Sequence, residues 1–317
     1  MTRLISIIIL LAAVLQTAAA QSTATPAPHQ EWGLVNVACA SLRAEPRHGA
    51  ELETQATIGT PILVDTVKSG EWKMVTMPDG YRAWMHLSAF TPISQSRFDN
   101  WRKSPRVIVV HPYGGTVISD TIAQAWQTAV TDATIGAIFS GSISPRSRYT
   151  RVTLPDGRSG YMHTNKLMDF EQWSQEPMNM DSIINCARSM TGVTYLWGGT
   201  TPKALDCSGL TQVCYRHSGT LLPRNASAQA KSGNLVDINT PASWQRGDLL
   251  FFGPDPDTTR ITHVGIYIGN NCYIHSSGMV MTSSTDPDSP IHLPRKVLAV
   301  RRIDTSYKRI ENHQWYF

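Results

Sequence analysis

A repeated segment in the first half of the chain constrains its fold more than any other feature. Residues 75–86 read V-T-M-P-D-G-Y-R-A-W-M-H and residues 152–163 read V-T-L-P-D-G-R-S-G-Y-M-H, a constant offset of 77. Each P-D-G predicts a turn, because Pro fixes φ and Gly permits positive φ. The flanking segments alternate and are rich in β-branched and aromatic residues, which predicts a hairpin. A shared turn at a constant offset indicates a duplicated domain.

The repeat predicts two small all-β domains, at residues 31–92 and 93–172. The first resembles bacterial SH3-type barrels in its motifs L-R-A-E-P, at residues 42–46, and D-G-Y-x-x-W-M, at residues 79–85. The second domain carries the same resemblance more weakly. Two unrelated β domains that share a turn are the alternative interpretation.

The first thirty residues have the pattern of a secretory signal peptide followed by a linker. Arg3 precedes an apolar run of about 12 residues, and small residues follow up to Ala20. The run is short for a bilayer core of roughly 30 Å, so cleavage after residues 1–20 is expected rather than an uncleaved anchor. Residues 21–30 are rich in Pro, Ser and Thr and form the predicted linker. We expect an exported protein, periplasmic or extracellular in a bacterium, with no membrane span after cleavage.

Length and composition favour a globular chain of two or three domains. The chain has 317 residues, of which 41% are hydrophobic and 16% charged, so it can bury sizeable cores and is not a disordered solvating chain. The net charge is only +4, without the basic run that nucleic-acid binding needs. We therefore expect no nucleic-acid partner.

The cysteine count argues against a metal or disulfide framework. Five cysteines are an odd number, which leaves at least one thiol unpaired outside the cytoplasm. No C-x-x-C pair occurs, so we expect no metal and no cofactor. Most free cysteines are small buried hydrophobic residues. That description fits Cys39, Cys186, Cys214 and Cys272.

Cys207 differs from the other cysteines in its neighbours. The segment L-D-C-S-G-L, at residues 205–210, follows a Gly-rich connection and opens a predicted helix that ends near Gly219. Cys207 therefore lies at or near a helix N-terminus, where the helix dipole favours a thiolate.

A thiolate nucleophile also needs a base, and two histidines are candidates. His263 begins the alternating segment H-V-G-I-Y-I-G, which predicts a strand. The apolar residues Val264, Ile266 and Ile268 would lie on the face opposite His263. A hairpin turn at residues 269–271 would return the chain antiparallel and bring His275 to the adjacent strand. A Cys–His–polar relay needs this arrangement. A histidine with a purely structural role is the alternative that spacing alone leaves open.

Five ordered motifs resemble the papain-like NlpC-type cell-wall endopeptidases. They are Y-L-W-G-G-T, L-D-C-S-G-L, R-G-D-L-L-F-F, H-V-G-I-Y-I-G and Y-I-H-S-S-G. The resemblance implies an α+β papain-like catalytic domain at residues 177–317. It also implies that Cys207 is the nucleophile, His263 the general base and His275 the orienting third member.

The order of the domains resembles the secreted γ-D-glutamyl-L-diamino acid endopeptidases. These enzymes cut peptidoglycan stem peptides between D-Glu and the diamino acid and prefer a free N-terminal L-Ala. The resemblance implies that Tyr81 and a carboxylate of the first barrel meet the substrate's amino group. The carboxylate is assigned to Glu51, with Glu53 as its rival. The second barrel has Arg158 in place of the tyrosine, so only the first should have this role.

Within the catalytic domain the resemblance implies four further substrate-binding residues: Tyr195, Asp206, Ser208 and Ser227. The alternative for Asp206 is a helix N-cap, and the alternative for Ser227 is a loop hydroxyl or an N-cap.

The expected function is therefore that of a cysteine endopeptidase, active as a monomer on L-Ala-γ-D-Glu-diamino acid stem peptides. Two alternatives stay open. One is amidase-type cleavage between N-acetylmuramic acid and L-Ala, which the amine-binding residues disfavour. The other is a non-catalytic cell-wall binding protein, which the intact Cys and His residues disfavour.

Overall fold

The computed structural model describes residues 31–119, 128–254 and 259–317. The predicted signal peptide at 1–20 and the linker at 21–30 lie outside the described residues. Within the described ranges no helix is long and apolar enough to cross a membrane.

Two seven-stranded antiparallel sheets form the first half of the chain. The first sheet contains β1 Glu31–Val35, β2 Ala40–Arg43, β3 Leu52–Ala56, β4 Pro61–Ser69, β5 Trp72–Thr76, β6 Arg82–His86 and β7 Phe90–Ile93. The second contains β8 Arg106–Val109, β9 Gly115–Ile118, β10 Ala129–Ala133, β11 Ile138–Ser140, β12 Tyr149–Thr153, β13 Ser159–His163 and β14 Leu167–Asp169.

The two sheets have the same strand order, as the repeat predicts. The first runs β3-β2-β6-β5-β4-β1-β7 and the second β10-β9-β13-β12-β11-β8-β14. The hairpins around the P-D-G turns have the same register, with Val75 opposite Ala83 and Val152 opposite Gly160. Gly80 and Gly157 in these turns have φ of +85° and +92°. Glycine adopts such a conformation without the steric cost that a Cβ brings.

The second half of the chain is an α+β domain built on a six-stranded antiparallel sheet. The strands of this sheet are β17 Asn234–Val236, β18 Leu249–Phe252, β19 His263–Gly269, β20 Cys272–Ser277, β21 Met279–Ser284 and β22 Val297–Arg302, and a separate pair is formed by β15 Thr200–Thr201 and β16 Ala204–Leu205. The strand order in the sheet is β17-β22-β18-β19-β20-β21. The α-helices within the described residues are α1 Gln95–Lys103, α2 Phe170–Gln175, α3 Met180–Ser189, α4 Cys207–His217 and α5 Ala226–Gln229.

Helix α4 packs on the sheet through its apolar face. Leu210, Val213 and Cys214 are buried in one core with Val264 and Ile266 of β19. Burial of such side chains stabilises the domain by roughly 25 cal/mol per Å² of apolar surface. The helix runs to His217, and Gly219 follows with φ of +74°, near the predicted helix end. This packing holds the N-terminus of α4 against the beginning of β19.

The first barrel is joined to the α+β domain by hydrogen bonds from β3 and from the P-D-G turn. Gln55 accepts from the backbone N–H of Thr200 through its side chain, at 3.0 Å. Asp79 accepts from the side chain of Gln212 at 2.9 Å. These contacts place β3 beside β15 and the P-D-G turn beside the middle of α4.

Candidate active site

Cys207 is the first residue of α4, and its sulfur lies close to the beginning of β19. Asp206 caps the helix, accepting from the backbone N–H of Gly209 at 2.7 Å. The Cys207 side chain is only 7% exposed, and Sγ lies 4.0 Å from the carbonyl oxygen of Thr262. The residue after Thr262 is His263, so Cys207 lies where α4 packs against the beginning of the His263 strand.

The glycine two residues after the cysteine allows this close packing. A Cβ on Gly209 would lie 2.0 Å from the backbone oxygen of Gly199. Such a contact is far inside van der Waals distance, so a larger side chain would push the Cys207 helix away from the Gly-rich connection.

The two histidines lie on adjacent strands and are directly hydrogen-bonded. The turn between β19 and β20 has Asn270 and Asn271 at positive φ, +52° and +58°, as a tight two-residue hairpin requires. His263 Nε2 is 2.7 Å from His275 Nδ1, and His275 Nε2 is 2.9 Å from the hydroxyl of Ser283. Both histidines are buried. The structure therefore joins His263 to His275 and places the Cys207 sulfur beside Thr262, the residue that precedes His263.

The charge state of the resting site differs from the expectation for a helix N-terminus. Burial and the Asp206 carboxylate raise the pKa of the Cys207 thiol to about 11. Burial, His275 and Arg295 hold the pKa of His263 well below its usual range. Burial and Arg295 lower the pKa of His275 to about 4. The resting pair is thus a neutral thiol and a neutral imidazole, because desolvation outweighs the helix dipole.

Asp206 also holds a buried arginine that sequence reasoning did not single out. Nη1 of Arg224 donates to Asp206 Oδ1 at 3.1 Å and to Ser208 Oγ at 2.9 Å, and Nη2 donates to Asp206 Oδ2. Its Nε donates to the backbone oxygen of Glu53 in the first barrel at 3.0 Å. Arg224 is 4% exposed, so this charged pair is shielded from water. Arg224 thereby connects the cysteine helix to the first barrel.

The first barrel contributes Glu53 and Tyr81 to the wall of the cleft. The Tyr81 hydroxyl donates to the Glu53 carboxylate, and both residues border the same cleft as Cys207. Burial and Glu53 raise the pKa of Tyr81 to about 12, so it stays a phenol.

Of the two candidates for the amine-binding carboxylate, the structure places Glu53, the rival, in the cleft wall, and Glu51 outside it. Glu51 precedes β3 and its side chain is exposed, whereas Glu53 lies within β3 and faces the cleft. The backbone oxygen of Glu51 accepts from Ala44, which holds it at the end of the β2–β3 connection, away from the cleft.

The remaining predicted residues also lie in the cleft. Tyr195 is beside Cys207, and burial with the nearby Cys207 and Asp206 raises its pKa to about 12, so its hydroxyl is a hydrogen-bond donor. Ser208 is buried and bound to Arg224, and Ser227 is exposed on α5. Asp206 is both the N-cap of α4 and part of the cleft wall.

The second barrel does not present an equivalent pair. Arg158, at the position of Tyr81, donates to the backbone oxygen of Asn36 at 3.0 Å and to Asp156 at 2.8 Å. It therefore joins the two barrels. Further cleft residues that the motifs did not identify are Trp197, Asn225 and Arg260. Trp197 lies within the motif Y-L-W-G-G-T and is 60% exposed at the cleft.

The five cysteines are all free thiols. Cys186, Cys207 and Cys214 are buried, and Cys39 and Cys272 are partly exposed. Cys207 is the cysteine that borders the cleft.

Comparison with known protein families identifies the catalytic domain. The sequence model of the NlpC/P60 family matches residues 192–301, which include the Cys207 helix and both histidine strands. The catalytic domain of this chain belongs to the NlpC/P60 family. The model of the bacterial dipeptidyl-peptidase SH3 domain matches residues 42–90, within the first barrel. The predicted fold class, SH3-type barrels followed by an α+β catalytic domain, is thereby confirmed.

Two bacillar proteins are among the similar sequences. The chain is 28% identical to the gamma-D-glutamyl-L-lysine dipeptidyl-peptidase of Bacillus cereus over 71% of its own length and 67% of the relative's. It is also 28% identical to the Bacillus subtilis protein of that name, over 71% of this chain and 72% of the relative. A crystal structure of an NlpC/P60 family protein from Bacillus cereus superposes with a TM-score of 0.72 at 23% identity. The superposition covers 86% of this chain and 99% of that structure, which shows that the two proteins share a fold. The protein is a cysteine peptidase whose catalytic domain matches the NlpC/P60 family model.

Proposed function

We propose that this NlpC/P60 peptidase hydrolyses the bond between γ-D-Glu and the diamino acid in peptidoglycan stem peptides that carry a free N-terminal L-Ala. The observation that carries the proposal is that Glu53 and Tyr81 of the first barrel share a cleft with Cys207. The names of the two bacillar relatives support the same bond and substrate class.

A carboxylate in this position selects for a positive charge at the end of the substrate. The Tyr81 hydroxyl holds the Glu53 carboxylate in place. An N-terminal ammonium would form a charge-assisted hydrogen bond with it, about twice as strong as a neutral one. An N-acylated stem peptide, still attached to glycan, has no such charge. The cleft therefore favours peptides already released from the glycan.

The reaction is acyl transfer through the cysteine. The Cys207 thiol proton passes to His263, and the sulfur attacks the γ-carbonyl carbon of D-Glu. The backbone N–H of Cys207 at the helix N-terminus and the Tyr195 hydroxyl would donate to the oxyanion. The C–N bond breaks as the His263 imidazolium protonates the leaving amine. Water then gives a proton to His263 and attacks the thioester, which releases the γ-carboxylate and restores the thiol.

The bond that is cut can be identified from product masses. Mature protein is incubated with L-Ala-γ-D-Glu-L-Lys and with N-acetylmuramoyl-L-Ala-γ-D-Glu-L-Lys, and Cys207→Ala serves as the control. We expect L-Ala-γ-D-Glu and lysine from the first substrate and none with the variant. Release of N-acetylmuramic acid from the second substrate would instead identify an amidase.

We also propose that the protein acts outside the cytoplasm as a monomer. The N-terminal pattern of Arg3, apolar run and Ala20 supports export. Fractionation of cells that express the full chain or a chain lacking residues 1–20 tests this. We expect the full chain outside the cytoplasm and the shortened chain inside, and equal distribution of both would contradict the proposal.

A further inference from the structure

We propose that Ser283 is a positioning residue of this peptidase: it fixes the tautomer of His275 and, through it, the tautomer in which His263 acts as the base. This inference concerns the shared cysteine chemistry, so it holds whichever peptide bond the enzyme cuts.

Ser283 is the last member of a continuous hydrogen-bonded line that begins at His263. His263 Nε2 is 2.7 Å from His275 Nδ1, and His275 Nε2 is 2.9 Å from Ser283 Oγ. Ser283 lies on β21 and is 2% exposed, while His275 is fully buried. The neighbouring β20 holds His275 in register, with Tyr273 opposite Ser283. Packing in the sheet therefore fixes all three side chains.

The positions of the protons follow from the function of the base. His263 uses Nε2 for its bond to His275, so Nδ1 is the nitrogen left to accept the proton of Cys207. Nδ1 must then be unprotonated, and the ring proton is on Nε2, which donates to His275 Nδ1. His275 consequently carries its proton on Nε2. That proton needs an acceptor, and the Ser283 hydroxyl is within hydrogen-bond distance.

The opposite proton arrangement would inactivate the enzyme. If His275 carried its proton on Nδ1, it would donate to His263 Nε2, and His263 would carry its own proton on Nδ1. The base nitrogen would then present a proton to the thiol of Cys207 instead of a lone pair. In the active arrangement the Ser283 hydroxyl accepts the proton on His275 Nε2. Without the Ser283 oxygen, this buried N–H group would lose its acceptor, which costs free energy in a buried position.

The surroundings favour the neutral form of both histidine rings. Tyr273 packs on His275 with ring centroids 4.9 Å apart, and Phe252 packs near His263 at 5.9 Å. Arg295 is the cation that acts electrostatically on both histidines and on Tyr273. Its positive charge disfavours a second proton on either ring. In the resting enzyme both histidines are therefore neutral, and the hydrogen bonds along the line set their tautomers.

The test compares Ser283→Ala with Ser284→Ala. Ser284 is the adjacent residue, equally buried, and its hydroxyl donates to the backbone oxygen of Asn271 at 3.2 Å. We expect Ser283→Ala to lower kcat about 10- to 100-fold with KM little changed, because one buried acceptor of the relay is lost. Ser284→Ala should retain kcat, and Ser283→Thr, which keeps the hydroxyl, should recover most of it.

Two readouts do not depend on the proposed substrate. Alkylation of Cys207 by iodoacetamide should slow in Ser283→Ala and stay unchanged in Ser284→Ala. In wild-type protein, ¹⁵N NMR of labelled histidines should show His275 protonated on Nε2. A wild-type alkylation rate and kcat in Ser283→Ala, equal losses in both alanine variants, or His275 protonated on Nδ1 would each overturn the proposal. The NMR result decides even where Ser283→Ala fails to fold.

Discussion

Replacing Glu53 by Gln should remove the selectivity for a free amino terminus while leaving the catalytic residues untouched. The change keeps the shape of the side chain and the hydrogen bond with Tyr81, but it removes the negative charge. A hydrogen bond to a charged group contributes about 1.5–3 kcal/mol. At 1.4 kcal/mol per factor of ten, this corresponds to a loss of about 10- to 150-fold in kcat/KM. Glu53 is half-buried, so solvent screening favours the lower part of that range.

The assay uses two substrates and a matched control variant. L-Ala-γ-D-Glu-L-Lys and its N-acetylated form are compared by initial rates of lysine release. Glu53→Gln should lose activity on the free peptide and change little on the acetylated one. Glu51→Gln makes the same charge change at an exposed position two residues away, and it should behave as wild type.

One result would refute this reasoning. Equal kcat/KM of wild type and Glu53→Gln on the free peptide would show that the Glu53 charge does not meet the substrate. A loss in Glu51→Gln instead would assign the amine-binding role to Glu51.

Three further predictions concern the site and its stability. Arg224→Met should lower the free energy of unfolding by about 3–5 kcal/mol, because it leaves the buried Asp206 carboxylate without its partner; urea denaturation measures this, and a loss under about 1 kcal/mol contradicts it. Cys207→Ala should abolish turnover but still bind L-Ala-γ-D-Glu-L-Lys in calorimetry; residual turnover would exclude Cys207 as nucleophile. His275 has a folded pKa of about 4, below its ordinary value of 6.5, so its stabilising contribution is complete above about pH 6.5 and is lost as the pH falls towards 4. Thermal unfolding of wild type and His275→Asn across this range should differ in slope, and parallel profiles would contradict the assignment.

Sequence patterns predicted those features that depend on local periodicity. The P-D-G turns led to the duplicated sheets, since a hairpin with alternating burial is specified within about fifteen residues. The alternation of H-V-G-I-Y-I-G put His263 on the face opposite Val264, and the two-residue turn then placed His275 on the next strand. Both steps use only the geometry of one hairpin.

Features that depend on how the domains dock were not predictable from spacing. Glu51 and Glu53 have the same parity in A-E-L-E-T-Q, so alternation cannot separate them. The distinction arises because β3 begins after Glu51 and contacts the catalytic domain through Glu53 and Gln55. Arg224 likewise has partners in two domains.

The pKa of the Cys207 thiol was likewise not predictable from the sequence. A helix N-terminus predicts a lowered thiol pKa for Cys207, but burial and the adjacent Asp206 carboxylate raise it. Desolvation depends on the packed structure around the sulfur, and no sequence motif measures it.

The measurement that tests the central claim most directly is the ratio of kcat/KM for L-Ala-γ-D-Glu-L-Lys and its N-acetylated form with the wild-type protein. Mass spectrometry of the products identifies the bond at the same time. The account predicts cleavage after D-Glu, with the free peptide preferred at least about tenfold. Equal cleavage of both peptides, or cleavage at another bond, would contradict it.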